Sequence, residues 1–302
     1  MWKPNVLCLG PGGAKGFNHL GALLALEERT FLSDIKSIIG VSIGSIIGLL
    51  LTLGYKTKEI IGIANCTEMF YSINDIGSDG SKILFGLSGP HSFLDNMGFL
   101  SHDPIRQHLG KYIKDKFPTY PSIPTLKQLY MATGIQFTTV SFNLHHDQTS
   151  SGTQYFNHIT APNMSCLDAV ICSMNIPILF QKLNIGNGLY IDGAFGDSYP
   201  IDYYDNDENA KILGLYIVEH TAIQSLHPHP NLGNILTYIN MVVSSSMDEN
   251  RIKKISNSSE RCKHLKLVSR CGNISGFQLQ LSEKAIMIKD GYDTAVQFLI
   301  DL

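Results

Sequence analysis

Residues 36–48 read KSIIGVSIGSIIG, and this stretch constrains the chain more than any other. A short apolar run suited to a buried strand ends at Gly40, and an apolar run suited to a buried helix begins at Ile43. Ser42 stands between them, flanked by Gly40 and Gly44. A strand that turns this abruptly into a helix forms a nucleophile elbow, a corner so sharp that its central serine hydroxyl is pushed out of the sheet. Gly40 and Gly44 suit the corner because neither carries a Cβ where strand and helix cross. The five-residue pattern G-x-S-x-G also arises by chance, so its context decides what it means.

The flanking sequence supplies a βαβ context. NVLCLG (5–10) is an apolar run closed by glycine and fits a buried strand, FNHLGALLALEE (17–28) has leucines at helical spacing, and IKSIIGV (35–41) is a second buried strand. Two strands joined through a helix imply parallel pairing. Further on, helices are predicted over 57–70, 103–117, 166–176, 230–256 and 282–299. Strands are predicted over 134–144, 189–195, 211–220 and 264–269. This alternation predicts an α/β fold with a mainly parallel central sheet and helices on both faces. No linker or internal repeat divides the chain, so one domain is expected over 1–302, its core motifs within 5–220 and residues 221–302 completing it. Residues 72–98 break the alternation, with Phe85, Leu87, Phe93 and Leu94 set among Gly, Ser and Asp without a period. They read as a long loop, either a mobile lid that contacts membrane or a segment packed on the core.

Composition narrows the function classes. A net charge of −3, with no block of Lys or Arg, leaves no electrostatic footprint for nucleic acid. The six cysteines (Cys8, Cys66, Cys166, Cys172, Cys262 and Cys271) form no C-x-x-C pair and read as free, structural thiols. No H-E-x-x-H or Cys/His spacing suggests a metal, and no cofactor is expected. The N-terminus lacks a signal-type apolar core, and no run approaches the roughly 18 apolar residues a membrane span needs. An intracellular, cytoplasmic protein is expected, peripheral at membranes at most.

The glycine cluster GPGGAKG (10–16), between strand one and helix one, admits three readings. A P-loop needs Ser or Thr after its lysine, but Gly16 follows Lys15. A dinucleotide loop matches at Gly10 and Gly12, but Lys15 takes the place of the third glycine, and the second strand ends in Val41-Ser42 where an acid is needed. In the third reading, backbone N–H groups at the start of a helix point at a developing oxyanion. Since the loop and Ser42 both follow adjacent parallel strands, they emerge at one sheet edge. Asp192, between the apolar YI and Gly193, puts a carboxylate at a strand end, although the same Asp-Gly dipeptide is also that of an ordinary turn.

PGGAKG (11–16), GVSIG (40–44) and DGA (192–194) stand in the order found in patatin-like phospholipases, which the chain resembles over most of residues 5–220. The segments 98–109, 137–144 and 168–180 are similar to that family as well. The resemblance implies an acyl hydrolase of phospholipase A, lysophospholipase or lipase type, working by a Ser-Asp dyad without histidine. It implies Ser42 as nucleophile, Asp192 of the Asp192-Gly193-Ala194 motif as base, and Gly12, Gly13, Ala14 and Gly16 as the oxyanion loop. The substrate implied is a phospholipid or other acyl-ester lipid, met through transient membrane contact. The chain departs from the family at Pro11, which occupies a glycine position and has no N–H to donate. That substitution supports one alternative, a catalytically impaired lipid-binding protein. The other is an α/β-hydrolase triad using a histidine after Asp192, such as His220, His227, His229 or His264.

Overall fold

The computed structural model describes residues 2–66, 95–147, 149–219, 232–270 and 279–302. Its elements in chain order are β1 (Val6–Leu9), α1 (Gly16–Glu28), β2 (Ser37–Gly40), α2 (Ile43–Thr52), α3 (Thr57–Cys66), β3 (Gly98–Leu100), α4 (Asp103–Lys116) and α5 (Leu126–Thr133). There follow β4 (Gln136–Asn143), β5 (Thr153–Phe156), α6 (Cys166–Ser173), β6 (Ile178–Phe180), β7 (Leu183–Ile185) and β8 (Gly188–Asp192). The last are β9 (Ile212–Glu219), α7 (Leu232–Asn257), β10 (Cys262–Ser269) and α8 (Leu281–Asp301).

The expected α/β architecture is present. Hydrogen-bonded neighbours in the main sheet run β10-β9-β1-β2-β4-β8-β7, with β5 also on β4. The five strands from β10 to β4 pair in parallel. The apolar runs of β1, β2 and β9 are continuous because both faces of the sheet are covered. Leu7, Leu9, Ile38, Leu213 and Leu215 enter one buried cluster with α1, α2, α4 and α6. Their alternate neighbours Val6, Cys8, Ile39 and Ile212 enter a second cluster on the other face, which Met247 and Ile255 of α7 help to close. Helix α8 lies on α1 at backbone contact: a Cβ on Gly21 would stand 2.0 Å from the Ile288 carbonyl oxygen, and one on Gly291 2.1 Å from that of Asn18.

The far side of the sheet is antiparallel, which the alternation of strands and helices did not suggest. Strands β5, β8 and β7 all pair this way. Thr139 is registered with Gly40 and also with Phe156, and Ser141 with Asp192 and also with Gln154. A strand residue has one neighbour on each edge, and β5 is a single continuous strand. Strands β2 and β8 therefore share the same edge of β4, end to end, with β5 on the other edge. The strand expected over 189–195 stops at Asp192, and Gly193–Phe195 coils into a 3-10 turn.

Four cysteines, Cys8, Cys166, Cys172 and Cys262, are free and buried, as read from the sequence. Of the expected lid, residues 72–94, with Phe85, Leu87, Phe93 and Leu94, lie outside the described residues, and Gly98 begins β3. His220, His227, His229 and Cys271 also lie outside them, as do residues 67–70 at the end of the helix expected over 57–70. Among the described residues no helix is long and apolar enough to cross a membrane.

Candidate active site

The corner between β2 and α2 is as sharp as its glycines suggest. Ser42 adopts φ 56° and ψ −123°, a left-handed backbone rare for a residue with a side chain. A Cβ on Gly40 would stand 2.4 Å from the Gly44 carbonyl oxygen, and one on Gly44 2.3 Å from that of Leu9. Only glycine lets strand, corner and helix approach this closely. The Ser42 N–H donates to Ser173 Oγ at 3.1 Å, and its carbonyl accepts from Ser45 Oγ at 2.6 Å. The strained residue is thus held from both sides.

Asp192 reaches Ser42 through the seam on β4, since the residues registered with Gly40 and Asp192 are only two apart. The Ser42 side chain lies close enough to the Asp192 carboxylate to favour its ionised form. Asp192 Oδ1 also accepts from the Ala194 N–H at 2.9 Å, a contact made by the 3-10 turn. Burial pushes the Asp192 carboxyl up to about 6, and the nearby Ser42 side chain and the Ala194 N–H offset only part of that rise. Its backbone N–H donates to the Asn175 carbonyl at 2.8 Å. Asn175 is itself fixed: its Nδ2 donates to the Tyr190 carbonyl at 2.7 Å, and its Oδ1 accepts from His102 Nε2 at 2.9 Å. The His102 ring stacks on Phe180.

The turn after α6 therefore holds both residues, Ser42 through Ser173 and Asp192 through Asn175. Neither Ser173 nor Asn175 stood out individually in the sequence, although both fall in the 168–180 segment noted above. His102 was equally silent, because its partner lies 73 positions away.

The glycine loop meets the elbow as its parallel strands require. A Cβ on Gly16 would stand 2.6 Å from Ile43 Cγ1, next to Ser42. His19 fixes the start of the loop, with Nε2 donating to the Gly10 carbonyl at 3.0 Å. Burial pulls the His19 ring down to about 4, so it stays neutral. The N–H groups of Lys15 and Gly16 turn back onto the carbonyls of Gly12 and Gly13. The N–H groups of Gly12, Gly13 and Ala14 have no acceptor among the described residues, and Gly13 takes φ 53° with open space around it.

His264, a candidate triad base, lies elsewhere: its Nδ1 meets the Tyr199 hydroxyl and its Nε2 meets Ser258 Oγ, each at 2.9 Å. No group of His, Cys, Asp and Glu among the described residues could hold a metal. A serine near a desolvated carboxylate, beside a loop of unengaged N–H groups, has the parts for acyl transfer.

Residues 7–205 match the model of the patatin-like phospholipase family. The chain is 28% identical to uncharacterized protein R571 of Acanthamoeba polyphaga mimivirus, over 98% of this chain and 94% of that one. It is 30% identical to probable lipid hydrolase 463L of Invertebrate iridescent virus 6, over 76% of this chain and 75% of the relative. Among solved structures it resembles VipD from Legionella pneumophila in fold, with a TM-score of 0.57 and 17% identity, over 99% of this chain and 67% of VipD.

Proposed function

The chain belongs to the patatin-like phospholipase family of lipid hydrolases, and on that premise we propose that it cleaves fatty-acyl esters of glycerophospholipids with Ser42 as nucleophile and Asp192 as base. The observation that carries this reading is the placement of Ser42, strained at its elbow, beside the buried Asp192 carboxylate. As Ser42 Oγ attacks the ester carbonyl, its proton passes to Asp192. The oxyanion of the tetrahedral intermediate then faces the N–H groups of Gly12, Gly13 and Ala14. When the intermediate collapses, the alcohol leaves with the proton from Asp192 and an acyl-serine remains. Water attacks this ester, giving a proton to Asp192, and as the second intermediate collapses that proton returns to Ser42 Oγ and fatty acid is released.

A carboxyl held near 6 suits this work. It is ionised at neutral pH, yet it is a better base than an ordinary carboxylate. Loss of a single oxyanion donor typically costs about 10²–10³ in rate. Pro11 makes one position of the loop unable to donate, which leaves the remaining N–H groups to carry the charge. The His264 ring is engaged by Tyr199 and Ser258, which does not favour a histidine triad. Transient contact with a lipid surface, which the substrate demands, is part of the same proposal.

The test is mass-spectrometric analysis of the products formed from defined phospholipid vesicles by the purified protein and by Ser42→Ala. Fatty acid and lysophospholipid are expected from the first and neither from the second. Full turnover by Ser42→Ala would overturn the assignment of the nucleophile.

A further inference from the structure

The segment that follows Asp192 is gripped by residues beyond the part of the chain that matches the family model. In the 3-10 turn, the Gly193 carbonyl accepts from the N–H groups of both Gly196 and Asp197, at 3.0 and 2.9 Å. The same turn presents the Ala194 N–H to Asp192. It is anchored at Asp197, whose side chain is only 4% exposed. Asp197 Oδ2 accepts from Lys254 Nζ at 2.6 Å and from the Tyr155 hydroxyl at 2.7 Å, and Oδ1 accepts from the Tyr199 N–H at 3.2 Å. Lys254, on α7, is itself largely buried and also reaches the exposed Asp202 at 2.7 Å. Two further ties run the same way, from Ser198 Oγ to the Met247 carbonyl and from Tyr199 to His264.

We propose that Lys254 is a positioning residue for Asp192, acting through Asp197 and the 193–197 turn; this rests on the reading of Asp192 as the base. A buried ion pair adds little net stability over apolar packing, but it fixes direction, because removing one partner strands a charge in the core. Here the fixed object is the turn that aims the Ala194 N–H at the Asp192 carboxylate. The groups facing Asp197 are Lys254, Asp202, Tyr155 and, on β1, the buried thiol of Cys8. Burial pulls the Lys254 ammonium down, but Asp197 and then Asp202 more than offset this and hold it above the usual lysine value. Lys254 therefore keeps its positive charge beside Asp197 at neutral pH.

The experiment compares wild type with Lys254→Met, Lys254→Arg and Asp202→Asn, by kcat and KM against pH and by hydrogen exchange of residues 193–199. Lys254→Met is expected to lower kcat by about tenfold or more, since a displacement near 1 Å can cost up to about 10²-fold, with KM unchanged. The rising limb of its pH profile should move to higher pH, because a looser turn weakens the Ala194 bond that holds the Asp192 carboxyl down. Exchange across 193–199 should quicken. Lys254→Arg should restore most of kcat, and Asp202→Asn should match wild type. An unmoved limb with unchanged exchange in Lys254→Met overturns the proposal. If that variant does not fold, Tyr155→Phe removes one bond to Asp197 and should shift limb and exchange the same way by less, and no shift overturns the proposal. A wild type without ester hydrolysis, or an active Ser42→Ala, would instead sink the reading of the dyad, and exchange in the Lys254 variants would still decide the clamp.

Discussion

Asp192 is a buried carboxyl beside a serine and bonded by a backbone N–H, and its titration can be followed in two ways. Activity should need the ionised form, so kcat/KM is expected to rise with pH to a plateau, with an apparent pKa near 6. A flat profile between pH 5 and 7 would contradict this. Stability should move the other way. The folded value, about 6, lies above the ordinary 3.8, so the folded state favours the protonated form; the stability associated with the group is complete below about pH 4 and is lost as pH rises through about 6. Two units correspond to about 3 kcal/mol at most. Asp192→Asn is therefore expected to be inactive and yet more stable than wild type at pH 8, by up to about that amount, with the difference gone near pH 4. Urea unfolding at the two pH values checks it. At this scale Ser42 and Asp192 were legible because their chemistry and their flanking glycines show in a few adjacent letters. Ser173, Asn175, His102 and Lys254 were not, because each acts on a partner distant in sequence and nothing local marks a serine or asparagine that holds someone else's backbone.

Among the elements, the corner between β2 and α2 tolerates little. A Cβ on Gly44 would meet the backbone of Leu9, which cannot swing aside, whereas one on Gly48 would meet the Ile38 and Phe137 side chains at 3.0 and 3.3 Å. Gly44→Ala is expected to cost several kcal/mol or to prevent soluble expression, as overpacking against backbone does. Gly48→Ala is expected to stay within about 1 kcal/mol of wild type, because tight packing there is offset by the helix preference for alanine. Denaturant midpoints of the two variants separate these outcomes. The long parallel strands and helices were legible because burial on both faces, or on one helical face, leaves a period in the sequence. Three-residue strands such as β3, β6 and β7 leave none. The β7–β8 hairpin did carry a signal, since Ile185 pairs with Gly188 around Gly186-Asn187, with Gly186 at φ 57°. Gly-Asn between two strands is a hairpin signature, and it foretells the antiparallel turn that brings Asp192 back toward Ser42.

For the molecule as a whole, the order of strands in space differs from their order in the chain. Strand β9 lies against β1 although it begins at residue 212, past the end of the family-matched segment, and α8 lies on α1 at backbone contact. We propose, as the sequence suggested, that 1–302 folds as one domain. A fragment ending at residue 205 should then show no cooperative thermal transition by circular dichroism, since it lacks β9, β10 and both helices that follow. A sharp transition in that fragment would divide the chain. The placement of β9 was not legible, because pairing between strands about 200 residues apart leaves no trace in either. The same arrangement bears on how the protein is made. On the ribosome β1 and β2 emerge early, and the β1 edge that β9 will cover stays unpaired until residues 212–219 have left the exit tunnel. At about 5–20 residues per second, that interval is roughly 10–40 s. For that time the nascent chain displays a bare parallel edge, the kind of surface that recruits holdase chaperones and, when they are scarce, other nascent chains.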